Sequence, residues 1–192
     1  LGMRNIAHMS AQRLLGAVDL SGFKHLLDLG GGPGTYAIAC LNAHPQIRAT
    51  LFDHANVVDI AREQVEAAGV SDRVTFVVGD ALKDDLGDGY DVILMSNLIH
   101  AFDENENRRV VGKCFDALAS GGRLIIKDFL VENDRSGPPF ALLFALHMFV
   151  HTQGGDTYTF AQVEEWTSAA GFSEGRALPL TPHTHVWLAD KP

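Results

Sequence analysis

The segment of residues 26–36 constrains the fold more than any other part of this chain. It begins as a short apolar run, breaks into four glycines and a proline, and resumes as an apolar segment of helical composition. This order predicts a buried strand, a tight turn and the start of a helix. Glycine has no Cβ atom, so the turn can adopt positive φ and a ligand can approach its backbone. Because the helix start also offers free N–H groups and a positive dipole end, the segment is predicted to bind a nucleotide or nucleoside.

The spacing of the glycines and a nearby carboxylate indicate which ligand fits. Among Gly30, Gly32 and Gly34, the third glycine comes four residues after the first. In the dinucleotide pattern G-x-G-x-x-G, the third glycine comes five residues after the first. No Lys-Ser or Lys-Thr pair follows the glycines, so a phosphate-binding P-loop is not predicted. Asp28 precedes the first glycine and would repel a pyrophosphate. A cationic ligand is therefore favoured over a dinucleotide.

Predicted strands and helices alternate over the first two-thirds of the chain. The strands are near-continuous apolar runs, which is typical of a parallel sheet covered on both faces. Strands are predicted at residues 25–29, 48–52, 74–78, 90–95, 123–129, 175–180 and 185–188. Helices are predicted at residues 4–18, 34–42, 57–68, 104–118, 140–150 and 159–170. The pattern predicts an α/β fold: a Rossmann-like, doubly wound, mainly parallel seven-stranded sheet with an antiparallel edge strand.

Short local signals mark the ends of these elements. The pair Gly121-Gly122 is predicted to end helix 104–118, and Thr159 is predicted to be the N-cap of the last helix. The short connection 181–184 predicts that the two terminal strands form a hairpin. We expect residues 1–20 to be a helical lead-in and residues 21–192 to form the ligand-binding domain.

Polar residues follow several strands, where doubly wound sheets bind their ligands. Asp53 follows the second strand and is placed to accept hydrogen bonds from ribose hydroxyls; the alternative is a solvated cap for the next helix. Asp80 follows the third strand, where the alternative is an ordinary loop acid. Ser96 and His100 follow the fourth. We expect these residues to gather at one edge of the sheet.

The charge balance limits the partners. The chain has 15 Lys and Arg against 24 Asp and Glu, a net charge of −9. Nucleic acids and anionic membranes both select basic surfaces, so neither is a predicted partner. The longest apolar stretch, residues 140–150, is too short to span a bilayer, and no secretory signal is visible. Cys40 and Cys114 are predicted to be buried reduced thiols, and the protein is expected to be cytoplasmic.

The pattern D-x-G-x-G-x-G of residues 28–34 resembles the first motif of class I S-adenosyl-L-methionine (SAM)-dependent methyltransferases. Residues 96–103 are similar to the corresponding segment of small-molecule O-methyltransferases, both of the plant caffeic-acid type and of bacterial secondary metabolism. The resemblance implies SAM as cofactor and S-adenosyl-L-homocysteine as product. It also implies that Asp80 binds the adenine amino group and that the N–H of Ala81 serves a ring nitrogen. The implied cofactor-binding residues are Asp28, Gly30, Gly32, Gly34, Asp53, Asp80, Ala81 and Ser96.

The same family carries its catalytic histidine in a His-Asp-Trp triplet. His100 matches the histidine, whereas Ala101 and Phe102 stand in place of the other two residues. The resemblance implies that His100 is the general base that takes the proton of the acceptor. A histidine that only packs or caps at the strand–helix junction is the alternative.

The family orients its histidine with acidic neighbours. Asp128 matches one of these acids but is one methylene shorter than the usual glutamate, so its reach to the histidine has to be established. An ion pair of Asp128 with Lys127 or Arg123 is the alternative. Thr157 occupies the position of a second acid, and Asp156 comes one residue early.

The helix predicted at residues 140–150 is expected to line the acceptor pocket. Five residues at three- and four-residue spacing share one of its faces: Phe140, Phe144, His147, Met148 and His151. Aromatic rings with two histidines suit a flat aromatic substrate, while simple core packing is the alternative. The two histidines have neither the glutamate of an H-E-x-x-H motif nor a third ligand, so no metal is predicted.

The sequence therefore predicts an O-methyltransferase acting on a phenolic or polyketide-type aromatic molecule without a metal. N- or C-methylation or decarboxylation with the same cofactor is an alternative, and so is a cofactor-binding domain that has lost catalysis. In the resembling family an N-terminal dimerisation domain precedes this one. A chain carrying that domain is expected to form a homodimer.

Overall fold

The computed structural model describes the backbone of residues 2–192 and the side chains of residues 7–192. The helices are α1 (Gly2–Ala17), α2 (Thr35–Ala43), α3 (Ala55–Ala67), α4 (Glu104–Ala117), α5 (Pro139–His151) and α6 (Phe160–Ala170). The strands are β1 (His25–Leu29), β2 (Arg48–Asp53), β3 (Val74–Val78), β4 (Tyr90–Ser96), β5 (Leu118–Asp128), β6 (Arg176–Pro179) and β7 (His185–Asp190).

The seven strands of the described residues form one sheet in the order β3-β2-β1-β4-β5-β7-β6. Strands β1 to β5 pair in parallel, and β7 runs antiparallel to both β5 and β6. The predicted doubly wound, mainly parallel sheet with an antiparallel edge is confirmed. The antiparallel strand is β7, which lies one position inside the edge strand β6. The order reverses between β1 and β4, so a crevice opens at their carboxyl ends.

Alternate residues of the central strands supply two separate hydrophobic layers. Leu26 packs on one face with Leu14 of α1 and Ala37 of α2. Leu27 packs on the other face with Val110 of α4 and Trp166 of α6. Because both faces are covered, the central strands are mainly apolar on both sides.

The helix ends follow local capping signals. Thr159 is the N-cap of α6 and forms a capping box with Gln162, which confirms the predicted cap. Asp103 and Glu106 form the same reciprocal arrangement at the start of α4. Each such cap is worth about 1 kcal/mol of stability. The box at Asp103 fixes where α4 begins, directly after the segment that carries His100.

The prediction that Gly121-Gly122 ends the fourth helix is wrong. Helix α4 ends at Ala117, and β5 begins at Leu118, which pairs with Tyr90. The glycines lie inside β5 at an irregularity of the β4–β5 ladder. A Cβ atom at Gly122 would lie 2.8 Å from the carbonyl oxygen of Ala119 and 3.0 Å from that of Asp91. Glycine is needed there for close backbone approach, not for a helix cap.

Among the described residues, no helix is both long and apolar enough to cross a membrane. The predicted boundary at residue 20, the dimerisation domain and the cytoplasmic location stay predictions.

Candidate active site

The glycine turn after β1 has the backbone that the sequence predicts. Gly30, Gly32 and Gly34 have φ values of +67°, +57° and +79°. A Cβ atom at Gly30 or at Gly34 would lie 2.8 Å from a leucine methyl group, whereas one at Gly32 would meet nothing within 4 Å. The turn is thus packed tightly at its two ends and open at its middle. The open middle is where a ligand can approach the backbone.

Asp53, at the end of β2, ties three strand ends together. Its Oδ2 accepts a hydrogen bond of 2.8 Å from the N–H of Gly32, and its Oδ1 accepts one of 2.7 Å from the N–H of His54. Its carbonyl oxygen accepts a bond of 3.0 Å from the N–H of Gly79, which follows β3. The predicted acid of the second strand therefore lies beside the glycine turn. Each carboxylate oxygen keeps a further lone pair for a ligand hydroxyl.

Asp28 lies beneath the glycine turn and is fully buried. Its Oδ2 accepts a hydrogen bond of 3.1 Å from the N–H of Ala37 in α2, so it braces the turn against the helix. Burial, together with a smaller contribution from the nearby charge of Asp53, raises the pKa of Asp28 to about 7. Its Oδ1 is buried without a hydrogen-bond partner among the described residues. The carboxyl group thus has unmet hydrogen-bonding capacity at the base of the turn.

Asp80 and Ala81 lie at the end of β3, beside Asp53 in the neighbouring strand. The carboxylate of Asp80 pairs with Lys83 at 2.7 Å and accepts the N–H of Leu82 at 2.9 Å. The hydrogen bond from Lys83 lowers the pKa of Asp80 below its ordinary value, so this carboxylate is charged at neutral pH. The carbonyl oxygen of Ala81 accepts a bond of 2.5 Å from Lys113 of α4. These contacts fix the loop that carries both predicted residues.

His100 and Asp128 are brought together from two strand ends. His100 lies in a 3-10 turn, Ile99–Ala101, just after β4, and Asp128 is the last residue of β5. The Nδ1 atom of His100 is 2.7 Å from Oδ1 of Asp128. The shorter aspartate therefore does reach the histidine. A carboxylate beside Nδ1 favours a proton there, which leaves Nε2 as the hydrogen-bond acceptor.

An aromatic cluster surrounds the imidazole. The ring of Phe144 in α5 meets that of His100 edge-on, with centroids 4.9 Å apart. The ring of Phe129, directly after β5, lies 6.2 Å from His100 and 4.4 Å from Phe144. Phe140, one helical turn earlier, lies 5.7 Å from Phe129. Flat apolar surface therefore lies beside the histidine, as is typical of pockets that bind aromatic molecules.

A sequence model of the O-methyltransferase domain family matches residues 1–173. The chain belongs to this family. Its relative 3-hydroxy-5-methyl-1-naphthoate 3-O-methyltransferase from Streptomyces sahachiroi is 37% identical over 177 residues, which are 92% of this chain and 51% of the relative. L-tyrosine C(3)-methyltransferase from Streptomyces lavendulae is 32% identical over 172 residues, 89% of this chain and 47% of the relative.

One solved structure similar to this O-methyltransferase domain is that of human N-acetylserotonin methyltransferase in complex with SAM. The two superpose with a TM-score of 0.88 at 26% identity, covering 98% of this chain and 53% of the human one. This chain spans about half the length of the curated relatives that it matches.

The position of the second acid in this O-methyltransferase domain is occupied by a hydroxyl. Thr157 is 1% exposed, and its Oγ1 has no hydrogen-bond partner among the described residues. Asp156 instead faces Arg135 at 3.4 Å, and both side chains are partly exposed. Asp128 is thus the carboxylate that the structure places on the imidazole of His100.

Only part of the predicted acceptor face of α5 packs toward His100 and its neighbours, and the rest of it is exposed. Phe144 contacts His100, Phe140 contacts Phe129, and Met148 is buried. His147 and His151 are exposed, and Nδ1 of His151 lies 2.9 Å from the carbonyl oxygen of His147 within the same helix. No three His, Cys, Asp or Glu side chains cluster as a metal site among the side chains that the structure describes.

Four residues of the site were not predicted from the sequence: Asn97, Lys127, Phe129 and Gly155. Ser96, which was predicted, has a buried Oγ without a partner in the described part of the chain. Phe129 and Asn97 each follow a strand directly, and this position is the one signal that could have selected them. Gly155 packs so closely on the carbonyl oxygen of His100 that a side chain there would overlap it. Its role follows from tertiary packing, which the sequence pattern does not encode.

Proposed function

We propose that this domain transfers a methyl group from SAM to a hydroxyl of a small phenolic or polyketide-type aromatic molecule. The observation that carries the proposal is the largely buried pair of His100 and Asp128, set at the switch point of the sheet beside the glycine turn. Family membership and the SAM complex of a similar structure support the cofactor. The proposal includes neither a metal nor a second protein for the chemical step.

The residues of the crevice fit the proposed cofactor. The glycine turn is open at Gly32, and the carboxylate of Asp53, which already contacts that turn, would hold the ribose hydroxyls. Asp80 and Ala81 would hold the adenine end, and Asp28 and Ser96 offer buried oxygen atoms without partners in the described residues. When bound, SAM supplies a methyl group that is already activated by its sulfonium charge.

The protein's part of the reaction is to orient the acceptor and to take its proton. A phenol with a pKa near 10 and a histidine with a pKa near 6.5 are suitably matched for general base catalysis as the oxygen attacks. Asp128 holds the proton on Nδ1, so that Nε2 of His100 is free to accept the acceptor's proton. The same carboxylate then stabilises the imidazolium that forms.

The aromatic surface supports the proposed class of acceptor. The rings of Phe129 and Phe144 lie against the histidine, and Phe140 extends this apolar surface from Phe129. One relative is named for an action on a hydroxynaphthoate, which is an aromatic acid with a phenolic hydroxyl. Stacking on such a surface would hold the ring plane and bring the hydroxyl to the imidazole.

C-methylation of a phenol is the second candidate, because one relative is named as an L-tyrosine C(3)-methyltransferase. Removing the phenolic proton also raises the nucleophilicity of the ring carbon beside the oxygen, so the same histidine could serve. Products of the two reactions are isomers of equal mass. Proton and carbon NMR of the isolated product separates them, because O-methyl and C-methyl groups resonate at different chemical shifts.

The test is a transfer assay with methyl-labelled SAM and a panel of hydroxylated naphthoates, benzoates and polyketide-type phenols. We expect label in an O-methyl group and loss of that label in His100→Ala. Label in a ring C-methyl group would select the second candidate. Binding of S-adenosyl-L-homocysteine without transfer to any acceptor would indicate a domain that has lost catalysis.

A further inference from the structure

A two-point contact joins the end of β5 to the backbone just before His100. The N–H of Asn97 donates a hydrogen bond of 2.8 Å to the carbonyl oxygen of Lys127, and Nζ of Lys127 donates one of 2.7 Å to Oδ1 of Asn97. Asn97 has a φ of +54°, in the left-handed region that non-glycine residues rarely adopt. We call these two hydrogen bonds the Lys127–Asn97 clamp.

The clamp lies next to both members of the catalytic pair. Lys127 precedes Asp128 on β5, and Asn97 lies three residues before His100 in the segment that leaves β4. The strand register pairs Ser96 with Lys127, so the clamp begins where the β4–β5 ladder ends. Any change in the backbone at Asn97 is therefore passed to the turn that carries the imidazole, while Asp128 stays fixed by its strand.

The side chain of Lys127 is almost completely buried, although burying an ammonium group costs more free energy than burying an apolar side chain. Lys127 is only 4% exposed, and lysine is almost never this buried unless it is paired. Its Nζ is 5.6 Å from the ring centroid of Phe129, which itself packs on Phe144 and His100. Burial lowers the pKa of Lys127, whereas the neighbouring charge of Asp128 opposes that effect. The contacts of this lysine thus converge on the surroundings of one histidine.

We propose that Lys127 is a positioning residue: by holding Asn97 in its left-handed conformation, it sets the ring of His100 against Asp128. Asparagine tolerates that conformation better than most residues but still prefers others. Without the ammonium, the segment between Asn97 and His100 gains alternatives in which Nδ1 moves away from the carboxylate. The consequence for catalysis rests on the proposed function of His100, whereas the effect on the ring does not.

Three variants test the clamp. Lys127→Met keeps the side-chain length and removes the donor, Asn97→Ala removes the acceptor, and Asn97→Asp keeps an acceptor for the lysine. Lys24→Met is the matched control, because Lys24 is exposed at the opposite end of the sheet. Two properties are measured: the ring nitrogen and N–H resonances of His100 in 15N-labelled protein, and kcat and KM with SAM and a phenolic acceptor.

We expect Lys127→Met and Asn97→Ala to broaden or shift the Nδ1–H resonance of His100 and to lower kcat by roughly 10- to 100-fold, because small misplacements of a catalytic group cost that much. KM for SAM should stay unchanged. The double variant should be no worse than either single variant, because both remove the same side-chain hydrogen bond of the clamp and leave its backbone hydrogen bond in place. Lys24→Met should behave like the parent protein, and Asn97→Asp, which keeps an acceptor for the lysine, should retain more of the parent's kcat and His100 resonances than Asn97→Ala.

A folded Lys127→Met protein with the parent's His100 resonances would overturn the proposal, as would losses that multiply in the double variant. If Lys127→Met does not fold, the comparison of Asn97→Ala with Asn97→Asp decides by the same two measurements. If His100→Ala retains full turnover, the proposed role of His100 fails. The resonances still report the clamp in that case, so the two failures are distinguishable.

Discussion

The Nδ1 atom of His100 and the Oδ1 atom of Asp128 lie 2.7 Å apart, although they come from the ends of two different strands. Only 14% of the histidine side chain and 2% of the aspartate side chain are exposed. Water therefore competes little for this contact, and the carboxylate acts on the imidazole at low effective dielectric. Oδ1 also accepts a bond of 2.8 Å from the N–H of Phe129, which holds the carboxylate in place. The contact thus favours one tautomer and one orientation of the imidazole.

Replacing His100 with alanine should lower kcat by about 100-fold or more, because the acceptor then loses its general base. The residues that would hold SAM are unchanged, so S-adenosyl-L-homocysteine should bind with the parent's affinity by isothermal titration calorimetry. His8→Ala, at an exposed position of α1, is the matched control. Unchanged turnover in His100→Ala would remove this residue from the site.

Replacing Asp128 with asparagine should keep the shape of the site and lower kcat by roughly 100- to 10,000-fold, since the amide no longer fixes the tautomer or stabilises the imidazolium. The affinity for S-adenosyl-L-homocysteine should not change. Single-turnover kinetics at several pH values measure the chemical step directly. A variant as fast as the parent would show that the contact between Asp128 and His100 only stabilises the fold.

Replacing Asp53 with alanine should weaken the binding of S-adenosyl-L-homocysteine by more than about 1 kcal/mol, because a hydrogen bond to a charged group contributes about 1.5–3 kcal/mol. Two effects contribute: the ligand hydroxyls lose their acceptor, and the N–H of Gly32 loses its partner in the turn. Asp53→Asn keeps one acceptor oxygen, so its affinity for S-adenosyl-L-homocysteine should lie between those of the parent and Asp53→Ala. Asp59→Ala, exposed on α3, is the control. Equal affinity in all four proteins would contradict the proposed ribose site.

The strand ends and the glycine turn could be predicted because they depend on local rules. Positive φ at Gly30, Gly32 and Gly34 is a property of the turn itself. The carboxyl ends of neighbouring parallel strands meet at one edge of the sheet, which is why Asp53 and Asp80 follow adjacent strands there. The use of Asp28 as a brace for α2 could not be predicted, because it depends on how the helix packs on the sheet. The same holds for Phe129 and for the Lys127–Asn97 clamp. The prediction that Gly121-Gly122 ends a helix was wrong because a close backbone approach inside a strand favours glycine as much as a helix cap does.

Replacing Asp28 with asparagine should change how stability depends on pH. In the folded protein burial raises the pKa of Asp28 from its ordinary value near 3.8 to about 7. Between pH 4 and pH 7 the unfolded chain has lost this proton while the folded chain keeps it, so ionisation favours the unfolded state. The free energy of unfolding should therefore fall as pH rises through this window, by about 1 kcal/mol per pH unit, and level off above pH 7.

The neutral amide of Asp28→Asn does not titrate, so the difference in unfolding free energy between parent and variant isolates this one group. Urea unfolding at steps between pH 4 and pH 8 measures it, with Asp59→Asn as the exposed control. A difference that stays flat across the window would show that Asp28 is already ionised in the folded protein.

Replacing Gly155 with alanine should lower catalysis without weakening cofactor binding. A Cβ atom at this position would overlap the carbonyl oxygen of His100, and it would lie 2.5 Å from Oγ1 of Thr152. The backbone of His100 must then move, and Nδ1 with it, so kcat should fall by about 10-fold or more. Overpacking should also lower the free energy of unfolding by roughly 1–3 kcal/mol. The glycine turn and Asp53 are untouched, so KM for SAM should not change.

Gly112→Ala is the matched control, because a Cβ atom there meets nothing within 4 Å and Gly112 lies inside α4. That variant should keep the parent's kcat and gain about 0.5–1 kcal/mol of stability from higher helix propensity. A folded Gly155→Ala protein with the parent's kcat would show that the position of the His100 backbone does not limit the reaction.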